Sequence, residues 1–218
     1  MGAPAAVVFD LDGVLIDSEQ VWDAAREDLV RERGGTWDER ATTDMMGMSS
    51  KEWSSYMRDR LGVPLTPAEI NDDVVRRVAS TYEHGLPLLP HSLETVRDLA
   101  AHWPLGLASS SNRPIIDLVL EQAGVRACFA AVVSSEEVAN GKPAPDVYLA
   151  AARELDVDPK DCAAIEDSTN GIKSAVAAGM RTIAVPNRQF RPDDDVLASA
   201  AVIVSSLAEV TVDLVASL

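Results

Sequence analysis

The sequence has few cysteines and no long apolar run. Its two cysteines, Cys128 and Cys162, lack the CxxC spacing of zinc and redox sites. Both lie in apolar stretches, so we expect buried structural thiols and no disulfide framework. No apolar run approaches the roughly 20 residues of a membrane-spanning helix. The N-terminal stretch lacks the basic and apolar regions of a secretory signal, so the expected location is cytoplasmic.

Basic residues are also scarce. The 218 residues include 19 Lys and Arg against 35 Asp and Glu, giving a net charge of −16. This balance argues against binding to nucleic acid or to an anionic membrane, since both need a basic surface. Nothing in the sequence indicates an obligate protein partner. An anionic substrate would therefore need a locally positive site.

Short apolar runs alternate with helical patterns along most of the chain. Strands are predicted within 5–11, 104–110, 128–135, 162–168, 181–186 and 201–206. The stretches 113–124 and 169–180 have the periodicity of amphipathic helices. This alternation predicts an α/β fold, a doubly wound parallel sheet with helices on both faces.

Residues 16–89, which we call the helical insertion, interrupt this alternation. They contain only helical patterns, at 18–35, 49–62 and 66–85. We therefore predict two domains: an α/β catalytic core of residues 1–15 and 90–218, and a helical cap of residues 16–89 inserted after the first strand. The insertion is large enough for a small domain. Its two connections to the core are a candidate hinge.

Polar residues cluster where the predicted strands end. In VVFDLDGVLIDSE, Asp10 and Asp12 are two residues apart, and such side chains leave the same face of a strand. Two adjacent carboxylates repel unless a cation or a proton compensates. The other polar residues near strand ends are Ser109, Ser110, Ser111, Asn112, Lys142, Glu166 and Asp167. Ligands bind at this edge of a parallel sheet, so these residues are the predicted site.

This set of residues suits phosphoryl transfer. Mg²⁺ takes oxygen ligands, and the candidates are the carboxylates of Asp10, Asp12, Glu166 and Asp167. Four carboxylates and a phosphate monoester of charge about −2 exceed what Lys142 alone can balance, so a divalent cation is required. Asp10 could then attack phosphorus while Asp12 transfers protons. Ser109 and the backbone N–H groups of the following helix could hold phosphate oxygens.

Four stretches resemble the motifs of the haloacid dehalogenase superfamily, in the family's order. FDLDGVLIDSE is similar to its first motif, LASSSN to its second, GKPAPDVY to its third and IEDSTNGIKSAVAAGM to its fourth. The helical insertion resembles the cap of the subfamily that includes β-phosphoglucomutase and many small phosphatases. The resemblance implies these roles: nucleophile, Asp10; acid/base, Asp12; phosphate binders, Ser109 and Lys142; magnesium ligand, Asp167; metal-side or neighbouring carboxylate, Glu166.

The remaining polar residues of the second motif leave two interpretations open. Ser110, Ser111 and Asn112 could contact phosphate, or they could serve only the loop and the N-cap of the next helix. The outcome depends on strand register, because a slip of one residue exchanges the candidates. In the helical insertion, the tryptophans are expected in the core rather than in the site.

The resemblance implies a Mg²⁺-dependent phosphatase of a small phosphorylated metabolite, such as a sugar phosphate. One alternative is an isomerase that moves phosphate within a hexose phosphate. β-Phosphoglucomutase has an arginine before a glycine in the first cap connection, whereas TTDMMGMSS has Asp44 before Gly47, and an acidic residue there would repel a second phosphate. Another alternative is a non-catalytic binding protein, since fold alone does not determine function.

Overall fold

Six short strands form one parallel sheet. The computed structural model describes residues 2–45, 48–187 and 190–218. The strands are β1 (Ala6–Phe9), β2 (Leu105–Ser109), β3 (Phe129–Ser134), β4 (Cys162–Glu166), β5 (Arg181–Ala184) and β6 (Val202–Ile203). Their order is β3-β2-β1-β4-β5-β6, with parallel pairing throughout. The predicted parallel α/β fold is confirmed, and each strand lies within a predicted stretch.

Ten α-helices accompany the sheet in the part of the chain that the structure describes. Four belong to the helical insertion: α1 (Glu19–Glu32), α2 (Ala41–Met45), α3 (Ser50–Asp59) and α4 (Pro67–Glu83). The others are α5 (Ser92–Ala100), α6 (Arg113–Gln122), α7 (Asp146–Glu154), α8 (Thr169–Ala177), α9 (Asp194–Leu197) and α10 (Val212–Ala216).

Both faces of the sheet are buried. Along β1, Val7 and Phe9 pack into one hydrophobic cluster, which includes residues of α5 and α6. Ala6 and Val8 pack into a second cluster on the other face, with residues of α7 and α8. Successive side chains of a strand point to opposite faces, so a central strand covered on both sides is apolar at every position. This explains why β1 is a continuous apolar run that ends where the aspartates begin.

The helices of the insertion pack on each other through buried apolar side chains. Capping boxes begin α3, with Ser49 and Glu52, and α4, with Thr66 and Glu69. Each box satisfies backbone donors that the first turn of a helix would otherwise leave free. The Trp22 ring of α1 meets the Trp53 ring of α3 edge to face, with centroids 6.1 Å apart.

The two connections between the helical insertion and the sheet run side by side. Ile16 forms an isolated antiparallel bridge with Leu88. The Asp17 N–H donates to the Pro87 carbonyl over 2.8 Å, and the Leu89 N–H donates to the Leu15 carbonyl over 3.0 Å. The chain therefore leaves and re-enters the sheet region at neighbouring points.

The cysteines differ in burial. Cys162 is buried in β4, and burial raises the pKa of its thiol to about 11, as expected for a structural cysteine. Cys128 is only half-buried, and both are free thiols. Within the described residues, no helix combines the length and the apolar character that crossing a membrane requires.

Candidate active site

The candidate site lies where the order of strands reverses. β1 has β2 on one side and β4 on the other, so the chain turns from one half of the sheet to the other between these strands. Phe9 pairs with Ile165, so Asp10 and Glu166 follow as the next residues of neighbouring strands. Crevices at such switch points are the usual ligand sites of doubly wound sheets. Carboxylate oxygens of Asp10, Glu166 and Asp167 lie within 4.8 Å of one another.

Lys142 joins two of these carboxylates. Its Nζ donates to Asp10 Oδ1 over 2.8 Å and to Glu166 Oε1 over 2.7 Å, and all three side chains are buried. Burial alone would lower the pKa of Lys142, but attraction from Asp10 and Glu166 raises it above its ordinary value. Lys142 therefore stays charged. Lys142 was predicted to belong to the site, and the structure brings it into contact with Asp10 and Glu166.

Burial raises the pKa of Asp10 to about 8 despite the opposing attraction of Lys142, and repulsion from Glu166 and Asp12 adds to the rise. Burial and the charges of Glu166 and Asp10 also raise the pKa of Asp167 well above its ordinary value. Three buried carboxylates thus face one ammonium group. A divalent cation would remove the excess negative charge.

Asp167 offers an oxygen for such a cation. Among the described residues, its buried Oδ1 has no hydrogen-bond partner. Its Oδ2 lies 3.4 Å from the side-chain nitrogen of Asn187. A buried carboxylate oxygen without a donor is costly unless it binds a ligand such as a cation. The donor set, all carboxylate oxygen, is the kind that Mg²⁺ prefers, so the residues present fit this metal.

Glu166 is held differently. Its Oε1 accepts hydrogen bonds from Lys142 and, over 2.9 Å, from the Tyr148 hydroxyl. Its Oε2 accepts from the backbone N–H groups of Asp167 and Ser168 and from the Ser168 hydroxyl. A cation would have to displace one of these donors, so its role as a metal ligand stays a prediction. Tyr148 was missed, although it is part of the GKPAPDVY motif.

Asp12 lies past the end of β1, where it forms an isolated parallel bridge with Ile16. Its Oδ1 accepts from the Ser18 hydroxyl over 2.6 Å. Its Oδ2 accepts from the Ser111 hydroxyl over 2.8 Å and from the Ser109 hydroxyl over 3.3 Å. These three hydroxyl groups hold the Asp12 carboxyl group in one orientation. Asp12 lies outside the group of three carboxylates found within the described residues, and its role as a metal ligand stays a prediction.

The four polar residues of the second motif, 109–112, differ in their surroundings. Ser109 is fully buried and, besides its contact with Asp12, accepts from the Ser111 N–H. Ser110 and Ser111 line the cleft. Asn112 lines it too, but its amide donates to Asn71 of α4 over 3.0 Å and to Glu136 over 2.6 Å. Asn112 stands at the N-cap of α6, yet within the described chain its side chain makes no capping hydrogen bond.

The cleft above the carboxylates encloses about 90 Å³ and has one wall from the helical insertion. That wall includes residues that sequence reasoning left out of the site. Trp22 and Trp53, expected in the core, are buried and also line the cleft. Among the described residues of the insertion, five others line the cleft: Ser18, Glu19, Arg26, Met45 and Met48. The spacing of Glu19, Trp22 and Arg26 was the available signal, because i, i+3 and i+7 share one helix face.

Asp44, which was predicted to repel a second phosphate, lies on the surface of the helical insertion. Its side chain is exposed and accepts a 2.7 Å hydrogen bond from Tyr56, and it is not among the residues that line the cleft in the described ranges. Gly47 lies outside the described residues. The effect of Asp44 on a second phosphate therefore stays a prediction.

Comparison with known proteins agrees with this geometry. Hexitol phosphatase B of Escherichia coli (strain K12) is 38% identical over 212 residues, which cover 94% of each chain. CbbY from Rhodobacter sphaeroides, solved in complex with phosphate, superposes with a TM-score of 0.88 and 28% identity, covering 99% of this chain and 100% of that one.

A crystal structure of β-phosphoglucomutase from Clostridium difficile shares the fold, with a TM-score of 0.83 and 23% identity over 97% of this chain and 95% of that one. The family model described as haloacid dehalogenase-like hydrolase matches residues 4–179. The match spans all four sequence motifs apart from the last residue of the fourth. The chain belongs to the haloacid dehalogenase-like hydrolases.

Proposed function

We propose that the protein is a Mg²⁺-dependent phosphatase that hydrolyses a small phosphorylated metabolite, with a sugar or polyol phosphate as the substrate class. The observation that carries this proposal is the buried group of Asp10, Glu166 and Asp167, in contact with Lys142 at the switch point of the sheet. The similarity to a protein named hexitol phosphatase B supports the substrate class.

Asp10 and Asp167 are the side chains that would hold Mg²⁺, because their oxygens have the fewest protein donors in the group. A bound Mg²⁺ supplies positive charge that offsets the carboxylates and a phosphate. Lys142 supplies a further fixed positive charge. Glu166, saturated by donors, keeps the Lys142 ammonium beside Asp10.

In the first step, a carboxylate oxygen of Asp10 attacks the phosphorus of the substrate. The new bond to phosphorus forms as the ester P–O bond breaks, giving an aspartyl phosphate. The leaving alcohol oxygen takes a proton from Asp12, which acts as general acid. The hydroxyls of Ser18, Ser109 and Ser111 then stabilise the carboxylate that remains on Asp12.

In the second step, Asp12 acts as the general base. It takes a proton from a water molecule as the water oxygen attacks the aspartyl phosphate. The bond between phosphorus and Asp10 breaks, inorganic phosphate leaves, and both aspartates return to their starting states. The hydroxyl contacts of Ser18 and Ser111 hold Asp12 in one orientation for both transfers.

The domain division is part of the proposal. Residues 1–15 and 90–218 form the core that carries the carboxylates, and residues 16–89 form a cap over them. Support comes from the paired connections at Ile16 and Leu88 and from the cleft wall supplied by α1. The cap would open to exchange substrate and product, and close to exclude bulk water during catalysis.

Phosphorus NMR of the purified protein with hexitol, hexose, pentose and triose phosphates tests the proposal. We expect inorganic phosphate to appear with Mg²⁺ and not with a chelator, and to disappear in Asp10→Asn. Asp28→Asn, at an exposed position of α1, is the matched control and keeps activity.

Three results would count against the proposal. Full phosphate release in Asp10→Asn would exclude the nucleophile. Migration of phosphate between positions, without net release, would identify an isomerase instead. No reaction with any phosphate ester of the panel would favour a non-catalytic binding protein.

A further inference from the structure

One face of α1 forms a wall of the cleft. Glu19, Trp22 and Arg26 all line it. Ser18, directly before Glu19, donates to Asp12 over 2.6 Å, so this end of α1 is anchored at the carboxylates. Arg26 follows Glu19 by seven residues, a rise of about 10 Å along the helix axis. The wall therefore extends along α1 from the carboxylates towards Arg26.

Arg26 is a buried cation with an unused donor. Its side chain is only 9% exposed, and its guanidinium carbon lies 5.3 Å from the centre of the Trp22 ring and 5.1 Å from that of Trp53. These cation–π contacts fix the guanidinium between the two rings. Its Nε has no hydrogen-bond partner among the described residues, and an unsatisfied buried donor is costly.

The charge of Arg26 is already balanced within the insertion. Its Nη1 lies 3.5 Å from Asp23 Oδ1, and Glu19 stands on the same helix face. Acidic neighbours would weaken the attraction of Arg26 for a second phosphate or a carboxylate. A neutral ligand group needs only the free donor. The two tryptophan rings would pack against its carbon atoms.

We propose that Arg26, held between Trp22 and Trp53, forms with Glu19 a subsite that binds the hydroxyl groups of a neutral substrate tail. This inference rests on the proposed phosphatase function, because it requires the phosphate of the same molecule to lie at Asp10. The Arg26 guanidinium donates to a tail hydroxyl. Glu19 binds hydroxyls nearer to the phosphate. The substrate class is a polyhydroxylated monophosphate rather than a bisphosphate.

The environment of Glu19 suits this role. Burial raises the pKa of Glu19 to about 7 despite attraction from Arg26, and repulsion from Asp12 and Asp23 adds to the rise. At neutral pH its carboxyl group is therefore present in both forms. A protonated carboxyl can donate as well as accept a hydrogen bond, and a hydroxyl group needs a partner of each kind.

The test compares three six-carbon monophosphates with Mg²⁺ present: a hexitol phosphate, hexyl phosphate and 6-phosphogluconate. Hexyl phosphate lacks the hydroxyls, and 6-phosphogluconate carries a carboxylate at the far end. We expect wild type to have the highest kcat/KM for the hexitol phosphate. In Arg26→Gln, the ratio of kcat/KM for hexitol phosphate to that for hexyl phosphate should fall about tenfold or more, mainly through KM.

Arg31→Gln is the matched control. Arg31 lies on the same helix, is exposed and pairs only with Glu27 among its described ion-pair contacts. The selectivity ratio should equal that of wild type in this variant. Arg26→Lys provides a second variant, because it keeps the positive charge but loses the planar Nε donor, and should also lower the ratio. Thermal unfolding of each variant establishes that it is folded.

The possible failures are distinguishable. A folded Arg26 variant could still release phosphate and keep the wild-type ratio of kcat/KM for hexitol phosphate to that for hexyl phosphate. This result would overturn the subsite but not the phosphatase function. A preference for 6-phosphogluconate that depends on Arg26 overturns the assignment of a neutral tail. If neither Arg26 variant folds, wild type alone provides the test. Equal values of its kcat/KM for the hexitol phosphate and for hexyl phosphate would overturn the inference. No release by wild type from any of the three refutes the proposed function and the subsite with it.

Discussion

Replacing Gly13 by alanine should reduce activity, because the added Cβ would collide with the side chain of Asp167. Gly13 has a φ of +78°, and a Cβ added there would lie 1.9 Å from Asp167 Oδ2 and 2.4 Å from its Cγ. Alanine would cost about 1–2 kcal/mol for the left-handed backbone alone. The contact would also push the Asp167 carboxylate away by about 1 Å or more, and a misplacement of this size costs about 100-fold in rate.

Gly124 provides the control for this prediction. Its φ is +65°, but no heavy atom of the described chain lies within 4 Å of an added Cβ. Gly124→Ala should therefore show the backbone cost in thermal unfolding and keep the kcat/KM of wild type. Gly13→Ala should lose a similar stability, or more, and about 100-fold of kcat/KM for phosphate release. Equal kcat/KM in the two variants would refute the steric reasoning.

Two further predictions concern buried polar groups. Glu19→Gln should stabilise the protein above pH 7, by at most about 3 kcal/mol, because the pKa of Glu19 rises from 4.5 to about 7 on folding. The gain should vanish below pH 4.5, where Glu19 is protonated in both the folded and the unfolded state, and denaturant unfolding at several pH values measures it. Tyr148→Phe should lower the free energy of unfolding by about 1–2 kcal/mol, because Glu166 loses a buried hydrogen bond while the ring below Lys142 remains.

Each of these two predictions has a result that would contradict it. A stability difference between Glu19→Gln and wild type that stays constant from pH 4 to pH 8 would mean that Glu19 titrates normally in the folded state. Unchanged unfolding of Tyr148→Phe would mean that Glu166 does not depend on the phenol. Leu149→Ala, at an exposed apolar position next in the chain, is the control for Tyr148.

The sheet could be predicted because its strands carry their signal locally. β1, β2 and β4 are continuous apolar runs, since both of their faces are buried. The polar residues at their carboxyl ends were predicted to meet because parallel strands end at one edge. α2 was missed because five residues give too short a period to detect, and no helix was predicted for the stretch of α5.

The cleft wall was harder to predict, because it depends on how helices pack rather than on any one motif. Trp22 and Trp53 satisfy the pattern of core residues, and they are indeed buried, yet they also face the cleft. Arg26 gives no sign of burial in the sequence, since arginine is normally exposed. Asn112 was expected at phosphate or as an N-cap, but its contact with Asn71 depends on the position of α4.

The adjacent connections at Ile16 and Leu88 have an evolutionary consequence. A segment whose two ends are already hydrogen-bonded neighbours can change in length and sequence without moving the strands that flank it. Asp10, Glu166, Asp167 and Lys142 lie outside that segment, whereas Arg26, Trp22 and Trp53 lie inside it. Under the proposed function, selection can therefore change substrate choice by exchanging one contiguous piece of the gene, while the catalytic residues are inherited unchanged.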